Sequence, residues 1–297
     1  MMKKNCQRKR NIKSDSILIT VLMSVSLILM LYPILHTVAV SLSDAFEAEF
    51  ENIYIWPRSF TLSNYVKLFC TDSAFFETRT FLSACKYTLL RTFLGTALSL
   101  MFNSILAFIL TRKNFIFRKS MSLFWIIPFY LEIGYIPHLV LYNKLGLYGT
   151  FWVLVIPNMA NVLYIMILRT YMQNIPDSYE EAAFMDGAGY MTIFFRIISP
   201  LCRPIYVAIA VFTAEYHWNE WLDCEIYGGP RTVSSYALKV FLYKYIPYGK
   251  KMHLPIERPS KAFLTAIIVF SMLPPMIICP IFQKYFNPVF DSLRIKD

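Results

Sequence analysis

From Ile17 to Val40 the chain runs without one Lys, Arg, Asp or Glu. A stretch of that length and polarity matches the ~20 residues a helix needs to cross ~30 Å of hydrocarbon. Few features restrict a fold more, because a segment in lipid finds no water and must satisfy its own backbone N–H and C=O groups. Five further apolar runs follow, at about Tyr87 to Leu110, Ser122 to Leu141, Phe151 to Tyr171, Arg203 to Trp221 and Ala262 to Phe282. The expectation is an all-α integral membrane protein of six transmembrane helices.

Composition supports it. With 57% hydrophobic and 16% charged residues, a chain of 297 residues carries more apolar surface than a soluble core of that size can hide. The net charge of +10 does not point to nucleic acid, since the basic residues sit mainly in short clusters beside the apolar runs. Anionic lipid and topology account for such clusters.

Those clusters orient the spans. Residues 1–15 carry Lys3, Lys4, Arg8, Lys9, Arg10 and Lys13 against Asp15, so the N-terminus is expected inside. The run that follows is too long for a signal-peptide core and has no small-residue cleavage site after it, so it reads as a retained span. Residues 42–84 reverse the balance, with Asp44, Glu47, Glu49, Glu51, Asp72 and Glu77 against three basic residues, and belong outside. Arg91 sits near enough to the outer end of the second span to snorkel, and Asn103 lies deeper. Arg112, Lys113, Arg118 and Lys119 mark an inside loop. The loop 223–261 is basic yet falls outside by span parity, which outweighs charge bias in longer loops. One membrane domain, 16–286, is expected between a basic tail, 1–15, and a C-terminal tail, 287–297, with both termini cytoplasmic.

Four crossings bring residues 177–200 to the cytoplasmic side. Pro176 and Asp177, with Glu180 three residues on, read as a helix start in which the Asp177 carboxylate takes orphan N–H groups and Glu180 reaches back to the cap. Ala182 and Ala183 leave a stripe with little side-chain bulk. Gly187 and Gly189 tolerate positive φ, so the first helix should end there and a second cover about Tyr190 to Ile198, stopped by Pro200 and Pro204. Two short helices at an angle make an elbow suited to docking.

Glu181, Ala182, Ala183, Asp186, Gly187, Ile197, Ser199 and Pro200 stand in an order that resembles the EAA loop of membrane subunits of bacterial ABC importers. That pattern is EAA, three residues, G, nine residues, I, one residue, LP. Ser199 replaces its Leu. The resemblance implies that this loop couples the chain to separate ATPase subunits, which carry the ATP and Mg, while this chain binds no cofactor. Lys144 to Trp152, Phe60 to Phe69 and Pro259 to Phe286 are similar to carbohydrate importer subunits, in particular the second membrane subunit of maltose-type and Gram-positive complex-oligosaccharide importers. That likeness implies a heterodimer with a related membrane subunit, two ATPases and an extracytoplasmic solute-binding protein, in a bacterial cytoplasmic membrane. The C-terminus, NPVFDSLRIKD, departs from the glycine-rich basic tail of relatives.

Glu132 and Glu215 are the ionisable residues farthest from the ends of their spans. An acidic group there costs about 2.5–3.5 kcal/mol on insertion scales, so each is expected to face a wet cavity or a partner. Tyr216, Trp218 and Asn219 close the fifth span with rings beside polar groups, as a sugar path or an interfacial aromatic belt would. The six cysteines show no metal or disulfide spacing, and no P-loop, HExxH or GxSxG occurs. No catalytic residue is expected. A permease for peptides or another solute, and a gradient-driven transporter using Glu132 or Glu215, stay open on the residues alone.

Overall fold

The computed structural model describes residues 2–50, 55–70, 78–112, 115–131, 133–228 and 260–282. They are helical almost throughout, and the isolated bridge between Ser43 and Phe60 is the one extended pairing among them. The chain divides into two compact units, residues 1–78 with 245–271 and residues 79–244 with 272–297.

The first unit begins with α1 (Met2–Ser41). Leu22, Ile28 and Met30 on it are exposed, the surface expected of a helix sheathed by lipid. Beyond it, α2 (Ala45–Phe50) and α3 (Ser63–Cys70) are held by polar contacts. Buried Asn64 donates to the carbonyls of Ser41 (3.0 Å) and Ser43 (2.9 Å), and Tyr65 shares a 2.7 Å bond with the Ser41 hydroxyl. The string from Phe60 to Phe69 thus forms the expected turn and short helix. Its last aromatic meets Phe270 edge-on at 5.8 Å, on α13 (Lys261–Phe282).

In the second unit, α4 (Thr78–Thr111) is followed by α5 (Arg118–Tyr130), α6 (Tyr135–Lys144), a 3-10 turn (Phe151–Leu154) and α7 (Val162–Gln173). Next come α8 (Ser178–Met185), α9 (Tyr190–Ile193), a π turn (Phe194–Ile198), α10 (Ser199–Leu201), α11 (Arg203–Asn219) and α12 (Leu222–Tyr227). Its main core joins Phe108 and Leu110 of α4 to Ile165 and Leu168 of α7, Ile193 and Ile198 of the elbow, and Ile205 and Ile209 of α11.

Among the described residues three helical stretches are long and apolar enough to cross a membrane: Ile17–Ser41, Phe81–Thr111 and Lys261–Phe282. A fourth candidate is the pair Tyr190–Leu201 and Arg203–Asn219, bent by 80°. The third and fourth apolar runs are not continuous helices. The third breaks at Gly134, whose φ of +71° favours a residue without Cβ. In the fourth, helix begins only at α7, where the Asn161 side chain caps Tyr164 N. The unwound backbone before it is satisfied by Asn103, which donates to Met159 O (3.0 Å) and accepts from Asn161 N (2.9 Å). Irregular backbone at membrane depth needs such a protein partner.

Candidate functional site

The elbow differs from its expected wiring in three ways. Asp177 makes no side-chain cap to α8, and Glu180 does not reach back to the cap. It accepts both arms of the Arg112 guanidinium, the second at 2.7 Å, while the Arg112 Cζ lies 4.2 Å from the centre of the Phe108 ring. A basic side chain closing α4 is a stronger partner for a carboxylate than a backbone N–H, and the fork geometry uses both oxygens. Second, Ala182 is exposed but Ala183 is buried in the core, so the small-residue surface is one alanine wide. Third, the second short helix runs through Pro200 to Leu201 before it ends, and Pro204 stands in the first turn of α11, where a missing N–H has no intrahelical partner anyway. The bend falls at Cys202 between them.

The turn between α8 and α9 follows expectation at Gly187. Its φ is +78°, Gly187 N donates to Phe184 O at 3.0 Å, and Ala188 N donates to Ala183 O at 2.9 Å. That double closure of the last turn is a Schellman motif, which favours glycine. Gly189 has φ of −79° and needs no such freedom. Glu181, Asp186 and Gly187 are exposed, while Ile197 and Pro200 are half-buried against the elbow.

The second feature is a cavity of about 530 Å³ beside the end of α11. Tyr135 and Tyr142 of α6, Tyr216 of α11 and Tyr227 of α12 line it, with Asn158 from the unwound segment, His138, Glu220 and Asp223. Tyr216 donates to Asn158 Oδ1 at 3.2 Å, and the rings of Tyr142 and Tyr227 meet edge-on at 4.9 Å. His138 Nδ1 lies 2.7 Å from Gly134 O, so that nitrogen carries the proton. Gly149 N donates to Tyr227 O at 3.0 Å and fixes α12 beside the 3-10 turn.

Behind this wall lies Arg91. It does not snorkel; it is 1% exposed and donates to Asp223 Oδ2 (2.5 Å), Glu220 O (2.7 Å) and Cys224 Sγ (3.4 Å). A guanidinium among apolar helices is costly without a paired carboxylate, and Asp223 supplies it. Of the described residues expected to line a pathway, Tyr216 alone is among those that line the cavity. Glu215 and Asn219 pair with each other one turn apart on an outer face of α11, Trp218 is buried, and Glu132 lies outside the described residues. Sequence reasoning passed over Arg91 and Asp223 as a pair. The available signal was a lone arginine inside an apolar run, which demands a buried acid somewhere.

Residues 91–292 match the model of the family described as binding-protein-dependent transport system inner membrane component. The chain belongs to that family. The match takes in the elbow and the cavity alike. This transport-system inner membrane component is 27% identical over 261 residues to the polygalacturonan/rhamnogalacturonan transport system permease protein of Bacillus subtilis, covering 86% of this chain and 88% of the relative. It is also 27% identical to the arabinooligosaccharides transport system permease protein of the same organism, covering 79% of each. A chain from the crystal structure of a bacterial ABC transporter involved in the import of the acidic polysaccharide alginate superposes with a TM-score of 0.81 at 26% identity. That superposition covers 92% of this chain and 97% of that one. The permease component is thus an integral protein of the cytoplasmic membrane.

Proposed function

We propose that this permease component moves a sugar or oligosaccharide across the cytoplasmic membrane as one of two related membrane subunits, with its six spans and both termini arranged as the charge pattern implies. The elbow at 177–200 docks a separate ATPase subunit, which binds ATP and Mg, and an extracytoplasmic binding protein delivers the solute. Sugar transport is supported by the names of the relatives, from arabinooligosaccharides to polygalacturonan. The coupling role rests on one observation. The elbow is continuous with α11 through the bend at Cys202 and is pinned to α4 by Arg112 and Glu180, so a push on α8 has a stiff route to the cavity at the other end of α11. Glu215 is exposed on α11, pairs with Asn219 one turn on, and is not among the residues that line the cavity.

The test is purification of the tagged protein in mild detergent, with identification of what co-purifies and an ATPase assay on the complex. A related membrane subunit and an ATPase are expected, and Gly187→Phe should insert normally while hydrolysis no longer drives uptake. Recovery of the chain alone, or normal uptake by the Gly187 variant at normal expression, counts against the reading.

A further inference from the structure

We propose that the cavity beside α11 is a binding subsite for an uncharged saccharide unit and that its carboxylates turn away uronic acids. This rests on the sugar-permease reading and names the class of sugar.

The first observation is shape and surface. About 530 Å³ falls within the roughly 300–1,000 Å³ of small-molecule sites. Tyrosine rings from three helices line it, and a pyranose or furanose presents C–H faces that pack on such rings while its hydroxyls meet their phenol groups.

The second is charge, which selects among sugars. Glu220 and Asp223 line the cavity, and no Lys or Arg does so among the described residues. The Arg91 guanidinium is turned onto Asp223 and the Glu220 carbonyl. A uronate would bring a further carboxylate beside Glu220 and the Arg91-paired Asp223, with no Lys or Arg among the described lining residues to receive it, and like charges there repel. The relatives include transport proteins for both acidic and neutral glycans, so family membership leaves the choice open and the cavity makes it.

The experiment is equilibrium dialysis on the detergent-solubilised complex of this chain with its partner subunits, without the extracytoplasmic binding protein. The probes are radiolabelled arabinotriose, xylotriose and maltotriose against trigalacturonate. At least one neutral trisaccharide should bind, with trigalacturonate ten-fold weaker or worse. Tyr135→Ala and Tyr216→Ala should each weaken the neutral probe by roughly five- to ten-fold, and Glu220→Gln should narrow the gap between the neutral and acidic probes. Because Asp223→Asn disturbs the Arg91 pair, it is not needed. Tighter binding of trigalacturonate overturns the proposal, as does neutral binding indifferent to both tyrosines. So does the absence of any binding from a complex whose cells still take up sugar. A complex that assembles and transports some solute, but no sugar, overturns instead the reading on which this one rests.

Discussion

Arg112, at the end of α4, forks onto both carboxylate oxygens of Glu180 in the first helix of the elbow. The two side chains are 17% and 18% exposed, so the pair is neither a solvated surface contact nor a fully buried one. Removing either partner should cost about 1–2 kcal/mol, between an exposed ion pair and a buried charge-assisted bond. The expected outcome is that Arg112→Ala and Glu180→Ala each lower the melting temperature, and that the double variant loses less than the sum. A thermal-shift double-mutant cycle measures this, and full additivity would mean the fork does not hold the elbow.

Arg91 and Asp223 form the pair that walls the cavity. Breaking one side leaves the other charge buried and should cost about 3–5 kcal/mol, so Arg91→Met or Asp223→Asn alone should cut the yield of folded protein sharply. Arg91→Met combined with Asp223→Leu removes both charges and should recover much of the loss. Fluorescence-detected size-exclusion chromatography of the three variants reads the difference, and a double variant as poor as the singles would sink the idea.

Much of this architecture was legible in the residues. The first, second and sixth apolar runs are helical throughout and end within a residue of the expected limits, because unbroken hydrophobicity leaves few alternatives, although the first two helices begin earlier, at Met2 and Thr78. Gly187 and the elbow were readable because a glycine between two amphipathic segments has a local reason to be there. What was not legible depends on partners distant in sequence. Glu180 looked like a cap residue, and Arg112, 68 positions away, claimed it. The break before α7 is tolerated because Asn103, on another helix, answers its backbone. Local reading sees Pro157 and Asn161 but not the side chain that makes unwinding affordable. The cavity assembles tyrosines from three helices, and no spacing along the chain announces that.

Gly95 faces the ring of His217, and a Cβ built on it would overlap three of the imidazole atoms. Small residues at helix crossings permit such close approach. Gly95→Ala should therefore force α4 and α11 apart at a cost of roughly 1–3 kcal/mol. His217→Ala alone should also destabilise, because the ring is buried, but the double variant should cost less than the two singles together. Melting temperatures in detergent test the sign of that coupling; a strictly additive pair would show that the crossing gives way elsewhere.

Glu47 lies outside the spanning segments and accepts the Ser59 hydroxyl, Ser59 N (3.0 Å) and Arg58 N (2.6 Å). Donation by the Ser59 hydroxyl, joined by those backbone bonds and the Arg58 charge, holds its carboxyl below the ordinary value of 4.5. A group whose folded pKa is depressed stabilises the fold above its unfolded pKa, and that contribution is lost as pH falls through the folded value. The loop around residues 55–60 should thus be protected at neutral pH and open progressively below about pH 4.5. Glu47→Gln should give a loop that opens more readily at neutral pH and changes little on acidification. Backbone hydrogen exchange at residues 55–60, corrected for the intrinsic pH dependence of exchange, measures both. Equal pH dependence in the two proteins would remove Glu47 as the cause.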